Sequence, residues 1–377
     1  MEVFYIKGDG IGPEIFDATR PVLNEALRLE NCEPIQWSEL LAGEKAIAET
    51  GSPLPEATID ALKEARFAIK GPLGTPVGSG IRSINVALRH GLDLYACIRP
   101  VKYIEGLQTP VKHPERIDMI IFRENTEDVY AGIEFAALTP EARRLVEFLR
   151  DSLGVKNISE KAAVGVKPMT EAGSKRLVRK AVNFALDNGR KSVTLVHKGN
   201  IMKFTEGAFR QWGYDLASEE FGDKTKRENE EGEGKLILKD RIADAMFQEV
   251  LLRPEEYDVI ATPNLNGDYL SDALAAQAGG LGLAPGVNMS DNLAFFEATH
   301  GTAPGIAGKD IANPGSLLLS GAMLLEHMGY KKAGKRVREG LQKAIKDGKM
   351  PADLASQTSG ATEAGCREFG EIVGSNL

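Results

Sequence analysis

Val3-Phe-Tyr-Ile6, then Gly8-Asp-Gly10-Ile-Gly12-Pro13, then apolar residues at Ile15, Phe16, Val22, Leu23, Ala26 and Leu27 open the chain. The short apolar run reads as a strand, and the series after it recurs at helical spacing. Glycines join the two, and Pro13 suits the first turn of the helix, where a missing N–H costs nothing. A dinucleotide-binding Rossmann unit would carry GxGxxG at this point. The pattern here is GxGxGP, with Pro13 where the third glycine should stand. The classical fingerprint is therefore discounted, and a tight strand-to-helix turn explains the loop at least as well.

Working outward, a second strand–helix–strand unit spans roughly 35–70 and ends at Phe67-Ala-Ile69 and Gly71-Pro72. A glycine-rich loop, Gly71 to Gly80, leads on to Ser83. Further strands are predicted at Met119–Phe122, Val193–Val196 and within Tyr257–Thr262, and helices at Gly173–Leu186, Arg241–Leu252 and Leu270–Gln277. Strands alternating with helices make the fold class α/β. Ser218 to Lys235, dense in Glu, Lys and Gly, is predicted to be an exposed hairpin or loop. Asn313-Pro314 is predicted to cap and start a helix that stops at Gly329.

The chain has 377 residues, enough for two domains, with 42% hydrophobic and 27% charged residues. A net charge of -8 and no basic tract argue against nucleic acid as a partner. No apolar stretch approaches a membrane span, and the strand-like start leaves no room for a signal peptide. Three scattered cysteines without CxxC fit a reducing, cytoplasmic setting.

Two constellations carry chemistry. Between Ser83 and Tyr130, Arg89, Arg99 and Arg123 each stand beside apolar residues instead of in a basic run. A guanidinium so placed needs an anion. Three converging forks would hold a di- or tricarboxylate; three separate structural salt bridges would satisfy the same residues. Downstream, Asp268 and Asp272 share a helix face. They suit a hard cation, magnesium or manganese, or equally a solvated helix start.

Gly8-Asp-Gly-Ile-Gly-Pro-Glu14, Arg82-Ser83-Ile-Asn85-Val-Ala-Leu-Arg89, Phe122-Arg123-Glu-Asn125, His197-Lys198-Gly-Asn200, Asn264-Leu-Asn-Gly-Asp268 and Glu297-Ala-Thr-His300-Gly-Thr302 together span nearly the whole chain. In combination they resemble the β-decarboxylating dehydrogenases, the isocitrate/isopropylmalate dehydrogenase family. The resemblance implies that family's two-domain α/β fold, not a classical Rossmann fold. Residues 1–94 plus 279–377 would form a large domain and 95–127 plus 171–278 a small one, with a clasp at 128–170 interlocking two subunits.

The resemblance also implies roles. Ser83 and Asn85 would receive the substrate's γ-carboxylate, and Arg89, Arg99 and Arg123 would clamp the other two. Tyr130 would protonate the enol after carbon dioxide leaves, and Lys198 would assist removal of the hydroxyl proton. Asp268 and Asp272 would hold magnesium or manganese together with Asp244 of the partner subunit. Lys198, Asn200 and Asp244 would reach the site from the other chain, so a homodimer with shared sites is expected. Thr75, Asn85, Asn200, His300, Gly301 and Asn313 would contact the cofactor. The plainer readings are a solvated helix face for Asp244, a strand-end charge for Lys198 and a helix cap for Asn313.

Members using isopropylmalate have an apolar patch where Ser83 and Asn85 stand. An isopropyl group would leave this hydroxyl and amide unpaired, so isocitrate is expected over isopropylmalate, with homoisocitrate open. The implied reaction is oxidative decarboxylation of isocitrate to 2-oxoglutarate and carbon dioxide. NADP-using bacterial members place cations or tyrosines where this chain has Gly305, Ile306, Ala352 and Ser356. NAD is therefore expected, with NADP, through Arg253, as the alternative. A non-catalytic regulatory subunit would be expected to lose one of Tyr130, Lys198, Asp244, Asp268 and Asp272; all five are present.

Overall fold

The computed structural model of the protein describes residues 1–74 and 83–377. The chain opens with β1 (Glu2–Ile6), α1 (Gly12–Leu29) and β2 (Gln36–Glu39), and returns through α2 (Glu44–Thr50) and α3 (Glu56–Glu64) to β3 (Phe67–Lys70). After α4 (Ile84–Gly91) come β4 (Ala96–Lys102) and β5 (Asp118–Glu124), then β6 (Glu134–Phe135), α5 (Pro140–Glu147) and β7 (Val164–Gly165). Next run α6 (Glu171–Asp187), β8 (Ser192–His197), α7 (Glu206–Phe221), β9 (Thr225–Arg227), β10 (Leu236–Ile242), α8 (Ala243–Leu252), β11 (Val259–Thr262) and α9 (Asn264–Ala278). The chain finishes with β12 (Pro285–Met289), β13 (Ala294–Ala298), α10 (Gly315–His327), α11 (Lys331–Lys346), α12 (Ala352–Ala355) and α13 (Cys366–Ser375).

All but the short pair β6–β7 and a terminal pair lie in one 11-stranded sheet, ordered β2-β1-β3-β13-β12-β4-β5-β11-β8-β10-β9. The two flanks are parallel, and the seam β13-β12-β4-β5 is antiparallel. This mixed α/β order is not the doubly wound Rossmann order. Register fixes which side chains meet. Arg123 pairs opposite Cys97, so it shares a face with Arg99, two residues along β4. Helices α8 and α9 cover that face, burying Met246, Val250, Leu270 and Leu274 against Met119, Ile121 and Val196. At the far end, Ile15, Phe16, Val22, Leu23, Ala26 and Leu27 are all buried, and α1 packs against α10, α11 and α13. Among the described residues no helix is long and apolar enough to cross a membrane.

Three local expectations need correction. Helix α9 begins at Asn264, not near Leu270. Asn264-Leu-Asn-Gly has turn composition, but Gly267 is helical for a packing reason: a Cβ there would stand 2.6 Å from Arg123 Cγ. Arg241 and Ile242 complete β10 by pairing with Val196 and His197, so α8 begins at Ala243. The segment 218–235 is not a hairpin. Helix α7 continues to the buried Phe221, and Thr225–Arg227 adds a parallel edge strand to β10.

The opening loop works as a structural knot. Gly8 and Gly10 have φ of +85° and +57°. The Asp9 carboxylate accepts from Glu44 N–H at 2.7 Å and Gly74 N–H at 2.8 Å, and Ile11 N–H donates to Thr302 O at 2.9 Å. A Cβ at Gly8 would drive into the Pro72 carbonyl as well as strain the left-handed backbone. Gly8→Ala is expected to destabilise the protein by about 2 kcal/mol or more, measured as a lower urea midpoint at unchanged m.

Candidate active site

Arg123 is 1% exposed on β5. Its Nε and Nη2 donate to Asn264 Oδ1 at 3.0 and 2.7 Å, and its Nη1 donates to Asp268 Oδ1. Arg99 Nη1 donates to Ser271 Oγ at 2.6 Å and Asp272 Oδ1 at 3.2 Å, and lies 3.9 Å from Asp268 Oδ1. Arg89 on α4 reaches Glu297 Oε1 at 3.4 Å, and Lys70 Nζ sits 2.9 Å from Glu297 Oε2. Each predicted arginine thus has the anion its apolar surroundings demanded. The partners are side chains of the same protein, as the salt-bridge alternative required. The three are nonetheless one cluster: burial, then Arg99 and Arg89, push the Arg123 pKa down. Arg99 Nε is buried without a hydrogen-bond partner.

Asp268 and Asp272 stand one turn apart beyond the first turn of α9, where a helix dipole no longer favours a carboxylate. Neither carboxylate therefore stands at the helix start that the plainer reading required. Burial works against ionised Asp268, but Arg123, the Tyr130 hydroxyl and Arg99 outweigh it, and its pKa is lowered. Asp272 is raised, chiefly by burial. Tyr130 lies in the turn Asp128–Ala131, and its hydroxyl donates to Asp268 Oδ2 at 2.6 Å. Burial first, then this hydrogen bond, raise the phenol pKa, so Tyr130 is a protonated acid at neutral pH. The Arg123 guanidinium lies 5.0 Å from its ring centroid. Glu297 is buried but held ionised, because Lys70 and Arg89 overcome its desolvation.

Lys198 and Asp244 do not join this cluster. Lys198 Nζ pairs with Asp244 Oδ1 in the same chain, and Asp244 is exposed in the first turn of α8. Among the described residues no group of three acidic, histidine or cysteine side chains is arranged to hold a metal. Asn200 is exposed. Asn85 Nδ2 reaches Leu73 O at 3.4 Å, while its Oδ1 is buried without a partner. His300 Nδ1 lies 3.0 Å from the carbonyl of exposed Gly301, and its Nε2 is likewise buried and unpartnered. Burial lowers the His300 pKa, leaving the ring neutral. Asn313 has the cap role: Oδ1 accepts from Gly315 N–H at 2.8 Å, and Nδ2 donates to Asp353 at 3.0 Å. Ser83 precedes α4 and is half-buried. Thr75 lies outside the described residues.

Several groups essential to this geometry were not singled out by sequence. Asn264 satisfies two donors of Arg123, Ser271 one of Arg99, and Glu297 with Lys70 closes the Arg89 side. The available signal was charge inside apolar strands, in Phe67-Ala-Ile-Lys70 and Ala294-Phe-Phe-Glu297, which demands a partner across the sheet.

Guanidinium and carboxylate groups are thus interleaved beside a protonated phenol in one cluster. The chain belongs to the isocitrate/isopropylmalate dehydrogenase family, whose model matches residues 2–373. It is 49% identical over 399 residues to the isocitrate dehydrogenase [NADP] of Staphylococcus epidermidis, covering 99% of this chain and 94% of that one. It is 52% identical over 382 residues to the enzyme of the same name from Pseudomonas aeruginosa, covering 98% and 91%. The crystal structure of isocitrate dehydrogenase from Methylococcus capsulatus superposes with a TM-score of 0.83 at 38% identity, covering 100% of this chain and 98% of that one. The α/β fold expected from sequence is therefore the fold of this family. These relatives are named for NADP and lend the expected preference for NAD no support.

The Tyr130–Asp268 bond sets a measurable titration. Asp268→Asn removes the carboxylate acceptor, and the Tyr130 pKa should fall part of the way towards its ordinary value of about 10. Ultraviolet difference titration against Tyr130→Phe reads it. The folded phenol titrates above the unfolded one, so its contribution to stability is full below about pH 10 and is lost as pH rises through the folded value.

Proposed function

We propose that this protein is an isocitrate dehydrogenase: it oxidises isocitrate at its hydroxyl-bearing carbon and releases carbon dioxide to give 2-oxoglutarate, using a nicotinamide dinucleotide and a divalent metal. The observation that carries the reading is the convergence of Arg99 and Arg123 on the acidic face of α9 beside Tyr130, with Arg89 held nearby by Glu297. Arg99 and Arg123 would exchange their present α9 carboxylate partners for substrate carboxylates, joined by Arg89 on its Glu297 tether, and the Ser83 hydroxyl with the Asn85 Nδ2–H group would donate to the remaining one. Tyr130, held protonated, would deliver a proton to the enol carbon. Glu297 keeps Lys70 and Arg89 in place.

The donor set fits a hard cation, since Asp268 and Asp272 present carboxylate oxygens on one helix face and Asp268 is ionised. Magnesium or manganese would be held by these two and by Asp244 of the partner subunit, and when bound would act as a Lewis acid towards the substrate's hydroxyl oxygen. The nicotinamide supplies the hydride acceptor. His300, with its buried unpartnered Nε2, and the exposed Gly301 and Asn200 would line the cofactor side. The large domain would then comprise 1–94 plus 279–377 and the small one 95–127 plus 171–278.

A homodimer with shared sites is part of the proposal, with the segment 128–170 as clasp. Large apolar side chains are exposed beside the very residues assigned to the second site. Phe204 is 93% exposed and Ile201 70%, near Lys198; Leu251 and Leu252 follow Asp244 on α8; Tyr269 adjoins Asp268. Val129, Leu138, Phe148 and Leu153 are exposed in the clasp segment. Such a surface fits a covered interface. Lys198 would there assist removal of the substrate's hydroxyl proton in the opposite subunit. Three unbridged cysteines support a cytoplasmic setting.

For the cofactor, the residues and the relatives point apart. Gly305, Ile306, Ala352 and Ser356 offer a 2′-phosphate no cation, and Asp353, next to Ala352, adds a carboxylate. We therefore propose that this chain prefers NAD, with NADP, through Arg253, as the alternative. The expected result is a higher kcat/KM with NAD than with NADP; equal or better efficiency with NADP overturns it.

The purified chain with isocitrate and manganese should produce reduced nicotinamide absorbance, and no rise with either cofactor would remove the proposal. Tyr130→Phe should lower kcat about 100-fold with a small change in KM, because a positioned acid contributes on that order.

A further inference from the structure

A buried ion triad lies outside the substrate cluster. Lys167 Nζ stands 2.6 Å from Asp128 Oδ1 and 2.7 Å from Glu206 Oε1. Both carboxylates are almost wholly buried. Each ties down a different functional segment. Asp128, at φ +70°, starts the turn that carries Tyr130, and its Oδ2 accepts from Leu265 N–H at 3.0 Å in the first turn of α9. Glu206 opens α7, and its Oε2 accepts from the backbone N–H of Lys198 and from Asn266 Nδ2 at 2.8 Å. One ammonium thus links the Tyr130 turn, the start of the Asp268 helix and the Lys198 turn.

A buried ion triad is seldom the most stable filling of a core; apolar residues of similar volume often serve as well or better. Its geometry, by contrast, is specific, and a carboxylate left alone after loss of Lys167 is costly. Apolar packing would not fix the directions of Lys198 N–H and Leu265 N–H. Under the reading proposed above, on which this inference rests, Tyr130 serves its own subunit's site and Lys198 serves the other. The triad is therefore where the two sites of a dimer are joined inside one chain.

We propose that Lys167 is a positioning residue for both active sites of the dimer, setting Tyr130 in one and Lys198 in the other through Asp128 and Glu206. Substituting Lys167 in a single chain then damages both sites: one loses its placed Tyr130, the other its placed Lys198.

The test uses hybrid dimers of differently tagged wild-type and Lys167→Met chains, separated after co-expression. The Lys167→Met homodimer is expected to lose at least tenfold in kcat, with KM for isocitrate within about threefold. Lys167→Arg should recover part of the loss. The hybrid should show well below half of wild-type kcat, because neither site is intact. A hybrid at half of wild-type kcat means one site is untouched and overturns the proposal, as does a Lys167→Met homodimer within twofold of wild type. If Lys167→Met does not fold, Lys167→Gln keeps a hydrogen-bond donor but loses the charge between Asp128 and Glu206; it should lower kcat several-fold at constant KM, and wild-type kcat there overturns the proposal. A wild-type chain that does not turn over isocitrate removes the underlying reading, and this inference with it. An active wild type with either failure above removes the inference alone.

Discussion

The site is organised by one guanidinium buried where nothing hydrates it. Arg123 spends its donors on Asn264 and Asp268, both on α9, and lies against that helix because Gly267 has no side chain. An unpaired charge at this depth would cost several kcal/mol. The helix must therefore sit where its polar face meets β5. That requirement sets the height of Asp268, which sets the Tyr130 hydroxyl, and brings Asp272 and Ser271 opposite Arg99. Hydrophobic packing of Leu270 and Leu274 against Met119, Ile121 and Val196 on the same sheet face secures the helix but leaves its polar groups to be placed by these bonds.

Much of this was legible in the sequence because buried charge is rare and conspicuous. Arg89, Arg99 and Arg123 announced anionic partners through their apolar neighbours, and each has one. The strand–loop–helix at the start was legible too, and the displaced glycine correctly steered away from a Rossmann order. What escaped was long-range or disguised. Asn264-Leu-Asn-Gly has the composition of a turn, and only contact with Arg123 explains why it is the first turn of a helix. Lys167 and Glu206 carry no local signal, since their partners are far along the chain. The edge strand Thr225–Arg227 is too short and too polar to be told from a loop. Thr75 falls outside the described residues.

The surface gives a second kind of information. A chain with ordinary hydrophobic content has no need to expose Phe204, Ile201, Leu251 and Leu252 together with the lysine and aspartate that are tied to each other at its edge. Within the single chain, Lys198 and Asp244 neutralise one another and touch nothing of the arginine cluster. Under the proposed dimer, this pair is surface offered to another copy. The buried triad behind Lys198 then explains why an exposed turn is held so firmly from within.

The antiparallel seam has a mechanical meaning. Strands β12, β4 and β5 join two parallel flanks into one hydrogen-bonded sheet. The two flanks share one backbone hydrogen-bond ladder. Any approach of one towards the other must twist the pleat itself, storing elastic torsion in the ladder that carries Arg99 and Arg123. In such a molecule the strands that carry Arg99 and Arg123 are also the ones through which any movement of one flank would be felt by the other.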